Sequence, residues 1–120
     1  MKGDDITERL IGFAVAVIKI VDALPDTPTG RHLAGQLLRA GTSPGANYEE
    51  ARGAESRRDF LHKLGITLKE LQESRYWLRV IFRSDLVTKH PVEPVVREAD
   101  EIVRIIGASQ RTARSNTRRG

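Results

Sequence analysis

Residues Ala40 to Phe82 read AGTSPGANYEEARGAESRRDFLHKLGITLKELQESRYWLRVIF, and this stretch decides the fold. Within it Phe60, Leu64, Thr67, Leu71, Ser74, Leu78 and Ile81 alternate steps of four and three residues. That spacing puts every member on one face of an α-helix over three heptads. Leu61, Leu68 and Phe82 form a second line beside it, and Thr67 and Ser74 are polar where a plain bundle carries leucine. Ser56 followed by Asp59 reads as the helix start, a variant of the capping box.

Upstream, a second helix is predicted to open near Thr27 to Thr29 and to continue through His32, Leu33, Leu37 and Ala40. Its phase carries on to Pro44, Asn47 and Ala51. Pro44 has no N–H and its ring crowds the preceding turn, so a kink or short break is predicted between Gly41 and Gly45. Gly41, Gly45 and Ala46 lack bulky side chains and permit a close approach by a neighbour.

A first helix is predicted from about Asp4 to Leu24, with Ile6, Leu10, Phe13, Val17, Ile20 and Leu24 on one face and Ala14, Ile18 and Val21 widening it. Pro25 supplies its stop. A fourth starts after His90-Pro91 and carries Val92, Val95, Ala99, Ile102 and Ile106, with Gly107 as its predicted end. No strand pattern competes, and short loops favour antiparallel neighbours. The fold class is therefore all-α, an antiparallel up-and-down four-helix bundle over residues 1–110, followed by a disordered basic tail at 111–120.

The 120 residues suffice for one core and contain no cysteine, so a disulfide framework is excluded. No apolar run has the length of a membrane span, and the acidic start MKGDDITERL does not resemble a signal peptide. The chain reads as soluble and cytoplasmic. Its net charge of +4 belongs to the tail: without Arg111, Arg114, Arg118 and Arg119, 16 of the 20 basic residues remain against 16 acidic ones.

Gly41-Thr42-Ser43, Gly45-Ala46-Asn47-Tyr48, Asp59-Phe60, Lys63-Leu64, Leu68-Lys69-Glu70 and Tyr76-Trp77-Leu78 make up an ordered pattern, preceded by Leu33 and by Gln36 through Ala40. In this pattern the chain resembles the bacterial four-helix bundle family of 23S rRNA-intervening sequence proteins, from the first helix to the fourth. The resemblance implies a protomer that assembles into a ring-like homopentamer. Some members of that family are encoded inside insertions in large-subunit ribosomal RNA genes. A distant relative is the accessory protein of diversity-generating retroelements, which partners a reverse transcriptase and RNA. The resemblance implies no settled enzymatic activity. Glu49-Glu50-Ala51 departs from the commoner family form Asn-x-Ala-Glu-Gly, and no binding role is carried over from that loop.

Asn47, in phase with the core stripe, is read as a structural amide that bonds a neighbouring helix backbone, with a ligand contact as the other reading. Arg57 and Arg58, with Arg52 and Lys63, stand where phosphates could be met, although Glu49, Glu50, Glu55 and Asp59 interleave with them. Arg111, Arg114, Arg118 and Arg119 have no acid among them and are the better nucleic-acid candidates. Tyr76 and Trp77 flank the core stripe, where aromatic side chains can seal against another protomer. Asp59 and His62 are three residues apart, but no Glu-x-x-His pair exists, and neither a metal nor another cofactor is expected. No nucleophile elbow or phosphate loop occurs.

These readings converge on a non-enzymatic oligomeric scaffold or interaction module, with RNA or an RNA-handling protein as partner. Two other classes stay open: a protein-binding accessory subunit, for example of a reverse transcriptase, and a small-ligand or metal-dependent enzyme built in the bundle core.

Overall fold

The computed structural model describes residues 2–119, with side chains as far as Asn116. Four helices account for most of the chain: α1 Gly3–Ala23, α2 Pro28–Arg52, α3 Arg57–Ser84 and α4 Glu93–Arg119. Each start has a local cause. Thr27 Oγ1 accepts from the Gly30 backbone N at 3.0 Å, with Pro28 in the first turn, and Ser56 Oγ accepts from the Asp59 N at 3.0 Å. Asp4 and Asp5 lie in the first turn of α1, where the helix dipole favours negative charge. α3 ends on Asp85 in the left-handed region at φ 54, a conformation that aspartate tolerates better than most residues.

The helices lie antiparallel in chain order, α1 against α2, α2 against α3, α3 against α4, with a slimmer α1–α4 contact closing the bundle. Side-chain pairs mark the register. Arg52 meets Asp4 at 2.7 Å, Lys63 meets Glu50 at 2.9 Å and Arg75 meets Asp100 at 3.2 Å. Arg9 closes the α1–α4 seam with two bonds to Glu98, at 2.6 and 3.1 Å, and one to Glu101 at 3.2 Å. Those carboxylates, Glu98 first, hold the Arg9 guanidinium above its ordinary range.

The predicted stripes form the core: Leu10, Phe13, Val17 and Ile20, Leu37, Leu64, Leu71, Leu78 and Ile81, and Ile102 and Ile106 are all fully buried. Burial of each such side chain contributes about 1.5–3 kcal/mol before chain entropy is charged against it. Two residues expected to flank these stripes face outward instead, Ile18 at 42% and Phe82 at 44% exposure.

α2 runs through Pro44 without a break. Pro44 has no N–H to give the Ala40 carbonyl four residues back. Ser74 of α3 places a donor there: its Oγ lies 2.5 Å from the Ala40 oxygen in the buried interior, with the Glu70 carbonyl of its own helix, at 2.8 Å, as the second acceptor within reach of its one proton. The polar residue in the α3 stripe thus compensates the proline in α2. Thr67, the other polar member, bonds back to the Lys63 carbonyl at 3.0 Å.

Two glycines are required by close approach. A Cβ on Gly41 would lie 2.7 Å from both methyl groups of Val17, so α2 crosses α1 in near contact there. A Cβ on Gly30 would lie 1.8 Å from the Pro25 carbonyl oxygen of the α1–α2 loop.

α4 does not stop at Gly107. That residue is buried inside the helix, and the apolar stripe resumes at Ala113, seven residues after Ile106 and 8% exposed. Residues 111–119 are helical where composition suggests an unstructured tail, because Ala113 continues the buried face of α4.

Candidate nucleic-acid interface

The antiparallel register brings the start of α3 and the end of α4 to one end of the bundle. Arg57 lines one groove together with Ile105, Ala113 and Asn116. Arg58, Arg111 and Arg114 are exposed at the same end, as is Arg57. The side chains of Arg118 and Arg119 lie outside the described residues. Residues far apart in sequence, proposed separately as phosphate contacts, thus come to the same end of the bundle.

Their charges are uncompensated. Arg9, Arg31, Arg39, Arg52, Arg75 and Arg97 all form salt bridges, whereas among the described residues Arg57, Arg58, Arg111 and Arg114 form none, a state they share with Arg79, Arg83 and Arg104 elsewhere on α3 and α4. Two acids that interleave with Arg57 and Arg58 in sequence are engaged elsewhere. Glu50 pairs with Lys63 and holds that ammonium above its ordinary range. Glu49 accepts from Thr7 and lies 3.4 Å from Arg52, which Asp4 holds in its charged form. Glu55 and Asp59 stay beside the arginines without such a partner, so the end is basic but not purely so.

α4 adds a pattern that went unread in the sequence. Arg97, Arg104 and Arg111 recur every seven residues on its exposed side, a repeat of about 10.5 Å along the axis. Arg111 lies back along the helix over Gly107, its Nη1 at van der Waals distance, 3.5 Å, from where a Cβ on that residue would stand. Counting charge by helix pair would have revealed the asymmetry. Residues 1–56 hold six basic and eight acidic side chains, and residues 57–120 hold fourteen and eight.

Asn47 is half-buried, and its Nδ2 donates to the Ser43 carbonyl of its own helix at 3.1 Å rather than to a neighbouring one. Trp77 is half-buried against its own chain: its ring meets His32 edge-on at 6.0 Å and Nε1 donates to Glu73 at 3.2 Å. Tyr76, edge-on to Trp77 at 5.0 Å, is the aromatic that faces outward, at 58% exposure. Asp59 and His62 stand on the outer side of α3, and among the described residues no group of three or more His, Asp or Glu side chains is placed to hold a metal ion. No described helix is long and apolar enough to cross a membrane.

A shallow groove of about 310 Å³ between α1 and α2 is lined by Leu10, Ile11, Ala14, Val15, Gly45 and Ala46, and is predominantly apolar. Sequence reasoning missed it because only the inner face of α1 and its flanks were read, and Ile11 and Val15 were assigned to no face.

Comparison with known proteins places this architecture. The family model described as 23S rRNA-intervening sequence protein matches residues 4–108. A crystal structure from Bacteroides thetaiotaomicron, described as a protein of unknown function from the S23 ribosomal protein family, is 33% identical. It superposes with a TM-score of 0.83, over 92% of this chain and 99% of that one. Among curated proteins none matches. On the extent of the family match and on this shared fold, the chain belongs to the 23S rRNA-intervening sequence protein family.

Proposed function

We propose that this protein is a non-enzymatic oligomeric scaffold that associates with RNA through the arginine-rich end of its bundle. One observation carries the reading: Arg57, Arg58, Arg111 and Arg114 are exposed at the end of the bundle where α3 begins and α4 finishes, without salt-bridge partners among the described residues. Nucleic-acid affinity comes largely from phosphate neutralisation and the release of counterions, and cations already engaged by carboxylates contribute least to it. The family name, which refers to intervening sequences of 23S rRNA, agrees with an RNA context. A ring of protomers, which the family resemblance implies, would present several such ends at once and turn weak single sites into avid binding.

Titration of the full chain into labelled RNA at low and moderate salt tests the reading. The expected result is salt-sensitive binding that weakens at least tenfold when Arg57, Arg58, Arg111 and Arg114 are all changed to Gln. Absence of binding by the assembled wild type would remove RNA as the partner. The protein-binding accessory subunit would then take its place, supported by the apolar α1–α2 groove.

A further inference from the structure

α1 carries two heptad stripes, and only one of them faces the core. The outer stripe runs Asp4, Glu8, Ile11, Val15, Ile18, Asp22 in steps of four and three. Ile11, Val15 and Ile18 are 50%, 46% and 42% exposed, an apolar centre between acidic ends. Leu38 of α2, 41% exposed, lies on the same side of the bundle, four residues before the groove residue Thr42. Singly exposed apolar residues are ordinary, but a contiguous, heptad-spaced row of them marks a surface that another helix covers.

α3 carries the counterpart. Stepping from Arg58 to Arg83 along its exposed face passes Lys69, Gln72, Tyr76 and Arg79 and meets no acid. Tyr76, the most exposed of the large hydrophobic residues described, sits between Lys69 and Arg83, seven residues from each. In α1, Val15 sits between Glu8 and Asp22, also seven residues from each. With Val15 over Tyr76, Glu8 and Asp22 therefore face Lys69 and Arg83 whichever way the helices run. Glu8, Asp22, Lys69 and Arg83 are all exposed, and none forms a salt bridge among the described residues. Lys19, the base closest to the α1 stripe, sits on its flank in a groove with Asp22, Lys89 and His90.

From this complementarity we infer that the α1 outer stripe of one copy docks on the α3 outer stripe of a second copy, with Val15 against Tyr76 at its centre. Neither stripe complements itself. Two α1 stripes centred on Val15 bring Glu8 against Asp22 or Glu8, and two α3 stripes bring Lys69 against Arg83 or Lys69, so like charges meet in every self-pairing. The contact is therefore heterologous, the kind that propagates head to tail and closes into a ring when its rotation allows. This rests on the oligomeric part of the proposed function and names the surfaces that build it.

The test is the assembly mass of the full chain by sedimentation, in three variants beside the wild type. Glu8→Lys with Asp22→Lys, and separately Lys69→Glu with Arg83→Glu, should each reduce the assembly to the 13.4 kDa single chain or weaken association at least tenfold. All four changes in one chain, which exchange the charges, should restore the wild-type mass. Tyr76→Ser removes the central contact without altering charge and should also weaken association, and helix content by circular dichroism verifies that each variant folds. Wild-type mass in both charge variants would overturn the interface while leaving an oligomeric scaffold standing. A wild type that is a single chain at all concentrations would overturn the interface and the oligomeric reading together.

Discussion

Replacing Ser74 by alanine removes one buried hydroxyl, and the structure predicts that its cost depends on a residue in another helix. Pro44 leaves the Ala40 carbonyl without its intrahelical donor, and Ser74 Oγ, fully buried, takes that place at 2.5 Å, the shorter of its two acceptor distances, the Glu70 carbonyl of its own helix lying at 2.8 Å. Ser74→Ala strands a buried carbonyl where water has no access, a loss of about 1–3 kcal/mol. In a Pro44→Ala background the new N–H at position 44 can bond Ala40, and the same change should cost less than about 0.5 kcal/mol. The predicted coupling is thus about 0.5–3 kcal/mol, whatever the sign of Pro44→Ala alone. Urea denaturation of the four proteins at one fixed protomer concentration measures it, since assembly makes stability concentration-dependent. Equal costs for Ser74→Ala in both backgrounds would show that the hydroxyl does not stand in for the missing backbone donor.

Gly41→Ala and Gly35→Ala exchange the same atoms in the same helix and so carry the same propensity gain of about 1 kcal/mol. The Gly41 Cβ meets fully buried Val17 at 2.7 Å and the Gly35 Cβ meets nothing within 4 Å, so Gly41→Ala should be the less stable by about 1–3 kcal/mol in thermal melts. Ser56→Ala removes the cap on the Asp59 N–H and should cost about 1 kcal/mol, read as a lower urea midpoint with unchanged slope. Burial pushes the Tyr48 phenol above its ordinary value of 10.0, so the unfolded chain loses this proton first. The resulting stability is complete below about pH 10 and is lost as pH rises through the folded value, and Tyr48→Phe should flatten that alkaline decline in a series of melts.

The core was legible because it rests on periodicity alone. Phe60 to Ile81, the Ser56 cap and the inner face of α1 need no knowledge of neighbours. Ile18 was misassigned for a related reason: α1 is apolar on two faces, and a one-dimensional pattern does not say which of them turns inward. Pro44 showed only that a donor was missing in α2, since its replacement comes from a residue 30 positions later in another helix. Gly107 looked like a helix end, but in the fold the decisive feature is Ala113 beyond it, which returns to the buried face. The arginine-rich end was readable only in halves. Arg57 and Arg58 looked screened by the acids around them, and the register alone assigns Glu50 to Lys63 and brings Arg111 and Arg114 to the same end of the bundle.

The most direct test of the functional account is the salt dependence of RNA binding by the assembled wild type and by an Arg57→Gln, Arg58→Gln variant of unchanged assembly mass. Four arginines on single-stranded phosphates predict a log–log slope of about −3 per protomer, and loss of two should reduce its magnitude by about 1.4. That outcome would locate the RNA at the end of the bundle where α3 begins and α4 finishes. No binding by an intact assembly, or a slope the two changes leave untouched, would contradict it.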